Sequence, residues 1–124
     1  MEVDVAIVGG SFAGLAAALQ LVRARRRVLL IDAGRPRNHM ADAMHGMPGQ
    51  DGRAPGAVLA DLRDELGRYR GLTAFEGEAV GAATSDGGFA VSLPDGTVAT
   101  APKLILATGV TDALPEVPGL AERW

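Results

Sequence analysis

A chain of 124 residues, 48% of them hydrophobic and carrying a formal charge of −3, is sized for one domain or a piece of one, with a modest core and no room for two cofactor domains. That charge gives no general pull toward nucleic acid or membranes, and the lack of any cysteine excludes disulfides, thiolate metal sites and any cysteine-based redox step within these residues. No apolar run reaches membrane-spanning length, and Glu2 and Asp4 stand where a secretory signal carries positive charge, so the expectation is a cytoplasmic protein with neither nucleic-acid nor membrane partners.

The first predicted element is a buried strand through Val5-Ala6-Ile7-Val8, running into Gly9-Gly10-Ser11-Phe12-Ala13-Gly14. A helix follows, with Leu15, Ala16, Ala18, Leu19 and Val22 suited to close packing on a sheet. Arg23, Arg25, Arg26 and Arg27 end it, where cations favour the negative helix terminus. A phosphate-binding role for these arginines would put them on the far side of the unit from its ligand, so they read as a solvated turn. Val28-Leu29-Leu30-Ile31-Asp32 is a second strand. Strand, glycine turn, helix, strand and terminal acid in this order form the layout of a dinucleotide-binding unit, in which unpaired N–H groups at the helix start hold a pyrophosphate. Gly9 permits the turn, and Gly14 lets helix and strand pack closely. Ser11 takes the middle glycine position, a departure that keeps a small side chain there but weakens the pattern. Asp32, followed by Ala33, stands where a carboxylate accepts ribose hydroxyls.

Residues 33–54, rich in Gly, Pro, Met, Asn and Asp, predict a long irregular loop, and loops of this length are often functional. Pro55 opens a helix whose Val58, Leu59, Leu62, Leu66 and Tyr69 form one apolar face, with Asp61, Arg63, Asp64, Glu65 and Arg68 mostly outside and Gly71 as its end. Residues 72–80 read as a strand. Turns at Asp86-Gly87-Gly88 and Pro94-Asp95-Gly96 then frame strands over residues 89–93 and 97–101, an antiparallel excursion. Leu104-Ile105-Leu106-Ala107-Thr108-Gly109 returns as a short apolar strand entering a glycine turn. The expected fold is α/β, a Rossmann-like β-α-β unit with a parallel sheet plus an antiparallel β excursion.

The stretch Ile105-Leu106-Ala107-Thr108-Gly109-Val110, followed by Leu114-Pro115-Glu116-Val117-Pro118-Gly119, resembles the second flavin motif of two-dinucleotide-domain flavoproteins. With the β-α-β unit and the excursion, the chain resembles, end to end, the N-terminal part of the FAD domain of thioredoxin reductase-like pyridine nucleotide-disulfide oxidoreductases. Arg35-Pro36-Arg37-Asn38 and residues 45–52 are similar to the subgroup that includes reductases or oxidases of small-molecule dithiols. The resemblance implies FAD at Gly9, Gly10, Ser11, Phe12, Ala13 and Gly14, with Asp32 and Ala33 at the adenosine ribose. It implies Arg37 and Asn38 near nucleotide or flavin, the backbone of Ala79 and Val80 against adenine, and a turn of Ala107, Thr108 and Gly109 beside the cofactor. His45, before Gly46 in the loop expected to border the isoalloxazine, keeps a claim to tuning flavin protonation. The family's Cys-x-x-Cys, its NADPH domain and the final FAD-domain segment are expected after Trp124. Residues 1–124 are therefore expected to be the N-terminal segment of an FAD-binding domain.

The activity implied is FAD-dependent oxidoreduction, NADPH giving hydride to the flavin and the flavin passing electrons to a disulfide or another small-molecule acceptor. The resemblance is compatible with a homodimeric parent, and the chain by itself is expected to be inactive. No catalytic side chain and no metal ligand is assigned. His39 and His45 lack metal-type spacing and read as loop histidines, Met40, Met44 and Met47 as packing residues. Three alternatives stay open. One is a dithiol oxidase returning electrons from FAD to oxygen, and another a non-catalytic nucleotide-binding module. The third is direct NADP binding at the first motif, with Arg35 or Arg37 meeting a 2′-phosphate, against which Asp32 argues by charge.

Overall fold

Strands β1 (Val5–Val8) and β2 (Val28–Asp32) flank helix α1 (Phe12–Arg23), and helix α2 (Pro55–Leu66) leads into β3 (Leu72–Glu76). The chain then forms β4 (Gly81–Ser85), β5 (Gly88–Ser92) and β6 (Val98–Ala101) before β7 (Lys103–Leu106), with a 3-10 turn at Ala121–Arg123. These elements come from a computed structural model that describes residues 1–123. A parallel sheet has the order β3-β2-β1-β7, and a separate antiparallel sheet the order β4-β5-β6. From β1 the chain builds outward through β2 and β3, then returns to the opposite side of β1 as β7. The strand order therefore reverses between β1 and β7, the crevice where open α/β sheets bind ligands.

Two cores lie on the two faces of this sheet, because side chains alternate along a strand. Val5, Ile7, Val28 and Leu30 meet Leu15, Ala18 and Val22 of α1 and Leu59 and Leu66 of α2. Ala6, Leu29 and Ile31 face the other way, onto Val91, Leu93, Ala99 and Ala101 of the antiparallel layer. Burial on both faces explains why β1 and β2 are continuous apolar runs. Arg27, at the end of the arginine run, ties the start of β1 to that of β2: its Nε and Nη2 donate to Asp4 Oδ1 at 3.2 and 2.8 Å, and its backbone N–H to Asp4 Oδ2 at 2.7 Å. Arg23, Arg25 and Arg26 are exposed.

Three sequence expectations give way. Helix α2 ends at Leu66 with Gly67 as its C-cap rather than at Gly71. Tyr69 lies beyond the helix and still packs on the same core, while Gly71 lies so close to the Arg26 carbonyl that a Cβ would sit 2.7 Å from its oxygen. The strand expected over residues 72–80 stops at Glu76, and Gly77, at φ +151°, turns the chain out of the parallel sheet. Residues 81–85 then pair as β4 with β5, from Gly81↔Ser92 to Ser85↔Gly88. All five residues of β4 are exposed, so no apolar alternation marked it. Met40 is 82% exposed and lies on the cleft wall rather than in either core, whereas Met47 lines a small hollow between α1 and α2 with Phe12, Leu15 and Leu62. Among the described residues no helix is long and apolar enough to cross a membrane.

Candidate functional site

Register brings the ends of the inner strands to one level: Val8 pairs with Ile31 on one side and Leu106 on the other. The next residues lock together, Gly9 N–H donating to the Ile31 carbonyl and Ala107 N–H to the Val8 carbonyl, both at 2.8 Å. Above this edge opens a cleft of about 1100 Å³. Its floor is the glycine turn and the start of α1, and its walls come from residues 32–40, 77–79 and 107–112.

The turn is built without space for side chains. Gly9 has φ +109°, and a Cβ there would run into the Ala107 carbonyl; one on Gly14 would strike the Gly9 carbonyl oxygen. A Cβ on Gly10 would come to 2.5 Å from the Asp32 side chain, so the turn rests directly on that carboxylate. Ser11 is the N-cap of α1 in an extended conformation, and its hydroxyl does not cap the helix. The first N–H groups of α1 lack intrahelical acceptors, which leaves a partial positive charge facing the cleft.

Asp32 closes the far side of the turn. Its Oδ1 accepts from Gly34 N–H at 3.0 Å and its Oδ2 from Arg63 Nη2 at 2.9 Å. The same Arg63 nitrogen donates to the Gly10 carbonyl at 3.3 Å. Further along the cleft Arg37 grips Asp112 with two parallel bonds, Nε to Oδ2 at 2.8 Å and Nη2 to Oδ1 at 2.9 Å. The Arg37 guanidinium holds the Asp112 carboxyl below the usual carboxylate range, and Asp112 in turn raises Arg37. Arg35 forms an ion pair with Glu78 on the same wall. The two arginines weighed for a 2′-phosphate are therefore each held by a carboxylate.

Of the residues singled out in the sequence, Gly9, Gly10, Ser11, Phe12, Asp32, Ala33, Arg37, Asn38, Ala79, Ala107, Thr108 and Gly109 line the cleft. Ala13, Gly14, Val80 and His45 do not. Gly14 is buried beneath the turn, and Val80 donates its N–H to Ser92 at the start of the antiparallel sheet. His45 is held on the loop surface, its Nδ1 3.3 Å from Asp51 Oδ1. His39 instead enters the cleft wall, with Nδ1 2.9 Å from the Pro36 carbonyl. Sequence reading missed Arg63, Glu78 and Asp112 as cleft residues. Helical periodicity set Arg63 on a polar face, and nothing local distinguishes it from Arg68. Among the described residues no three His, Cys, Asp or Glu side chains cluster as a metal site.

With this geometry in hand, known proteins resemble the chain along its length. The pyridine nucleotide-disulphide oxidoreductase family matches residues 3–124. Thioredoxin reductase tcpT of Claviceps purpurea is 41% identical over 98% of this chain and 39% of its own length. Thioredoxin reductase sirT of Leptosphaeria maculans is 37% identical over 98% of this chain and 38% of its own. The solved oxidoreductase from Agrobacterium tumefaciens superposes with a TM-score of 0.93 at 52% identity, covering all of this chain and 42% of that one. The chain thus spans about two fifths of the length of these relatives.

Proposed function

The chain belongs to the pyridine nucleotide-disulphide oxidoreductase family, and from that premise we propose that residues 1–124 are the N-terminal segment of an FAD-binding domain. The parent activity is NADPH-dependent reduction, through the flavin, of a disulfide or another small-molecule acceptor. The observation that carries this reading is the cradle at the β1–β7 crevice, where Gly9, Gly10, Ser11 and Phe12 line the floor beside the helix start, with no room for a Cβ at Gly9 or Gly14, and Asp32 stands across the turn. A pyrophosphate fits that helix start, and a ribose fits the carboxylate.

A bound flavin would supply the hydride and electron chemistry. The chain's own part is to bind and orient it. N–H groups at Ser11–Ala13 would hold the diphosphate, Asp32 would accept ribose hydroxyls, and the turn at Ala107, Thr108 and Gly109 would let backbone approach the cofactor. Arg37 and Asn38 would flank it on the loop side. With no cysteine among these residues, none of them exchanges with a substrate disulfide.

Cofactor released from the purified full-length parent and identified by mass spectrometry tests the reading. FAD is the expected product. A nicotinamide nucleotide alone would overturn it.

A further inference from the structure

We propose that Arg63 is a positioning residue for the adenosine end of the site: from α2 it fixes the Asp32 carboxylate so that one acceptor position on each oxygen is left to receive the two hydroxyls of a ribose. The proposal rests on the reading of the cleft as a nucleotide site.

A carboxylate offers about four lone-pair sites, two on each oxygen. In the structure the protein takes one on each: Gly34 N–H on Oδ1 at 3.0 Å and Arg63 Nη2 on Oδ2 at 2.9 Å. Opposed bonds on the two oxygens stop the carboxylate from rotating. One acceptor site per oxygen remains, and a vicinal diol carries two donors at a matching spacing. Arg63 also bonds the Gly10 carbonyl at 3.3 Å, so one nitrogen links α2, the end of β2 and the turn beneath the diphosphate site.

The pair is partly open to water, with Asp32 23% and Arg63 44% exposed. Such pairs add little to folding stability. A ligand seated on Asp32 covers the pair from solvent, which strengthens its electrostatics. The effect of Arg63 therefore belongs to binding more than to folding. It also belongs to the ribose, since the flavin ring contributes nothing to a diol-accepting carboxylate.

The test is carried out on the full-length parent, purified and stripped of cofactor, comparing wild type, Arg63→Met, Arg63→Lys, Asp32→Ala and the Arg63→Met/Asp32→Ala double variant. Affinities for FAD, FMN, ADP and 2′-deoxy-ADP are measured, with a melting temperature for each variant. Arg63→Met should weaken FAD and ADP by a similar factor, on the order of tenfold, leave FMN unchanged and shrink the preference for ADP over 2′-deoxy-ADP. Arg63→Lys should recover part of that preference, and Arg63→Met should cost nothing more once Asp32 is gone. ADP affinity untouched by Arg63→Met overturns the assignment. So does an equal loss in both Asp32 backgrounds that follows the melting temperature, which would mark Arg63 as structural. Wild-type protein that binds ADP and refuses flavin overturns the functional reading alone, and protein that binds neither overturns both.

Discussion

Asp32 shows how much chemistry one side chain gathers: it ends β2, supports the glycine turn and anchors Arg63. On the proposed reading, Asp32→Ala in the full-length parent would remove charged hydrogen bonds to the ribose and should weaken FAD by roughly 1–3 kcal/mol, read as the change in dissociation constant. Glycines in this chain differ sharply in what replacement does to them. At Gly14 any Cβ meets the Gly9 carbonyl oxygen, and a branched side chain forces α1 away from β1. Gly14→Val should therefore lose cofactor and lower the melting temperature together. Gly56, in the first turn of α2 with nothing near its missing Cβ, is the matched control. Gly56→Ala should leave cofactor content unchanged and stabilise slightly, by up to about 0.5–1 kcal/mol, measured by denaturant titration.

At the scale of elements, the long loop of residues 33–54 is pinned at several points. Met44 N–H bonds the Arg53 carbonyl and Gly52 N–H the Met44 carbonyl, both at 2.8 Å. Arg37 joins the loop to Asp112 beyond β7, across 75 residues of chain. Asp112 is held below the usual carboxylate range by Arg37, so its folded-state pKa is depressed. The stabilisation this gives is present above the unfolded pKa of a carboxylate, about 3.9, and is lost as pH falls through the lower folded value. The melting temperature of wild type should accordingly exceed that of Asp112→Asn at neutral pH, and the gap should close in acid. A gap independent of pH would assign the difference to packing. High salt should narrow it as well, because both partners are solvent-exposed in part.

For the whole molecule, the parallel sheet has a helical layer on one face and a three-stranded layer on the other, and Leu29 is fully buried between the sheets. Leu29→Ala should cost about 2–5 kcal/mol of stability, measured by denaturant unfolding. Among the described residues strand β7 is paired on one side only, by β1, and Leu106 at its end is 69% exposed. An open edge with an apolar side chain offers little enclosure to a ligand lying across it. Residues 1–124 produced alone should therefore retain well under one flavin per chain and show no NADPH-dependent disulfide reduction with FAD added. Stoichiometric flavin with turnover would require a catalytic route that uses no protein thiol.

The β-α-β unit was legible because its signals are local: an apolar run, glycines at fixed offsets, a small-residue helix and an acid one strand later. The excursion and the returning strand were legible from turn residues for the same reason. Exposed Gly81–Ser85 carries no such signal, so β4 was decided by backbone pairing with β5. The end of β3 was likewise fixed at Gly77, whose N–H bonds the distant Asp32 carbonyl, a contact no window of sequence contains, whereas α2 closes locally, with Gly67 N–H on the Arg63 carbonyl. The electrostatics of the cleft escaped the sequence most completely. Arg63 and Asp32 are 31 residues apart and Arg37 and Asp112 are 75 apart, and a charged side chain carries no mark of its distant partner. Local periodicity and backbone constraints determined the elements, while only their packing decided which charges meet.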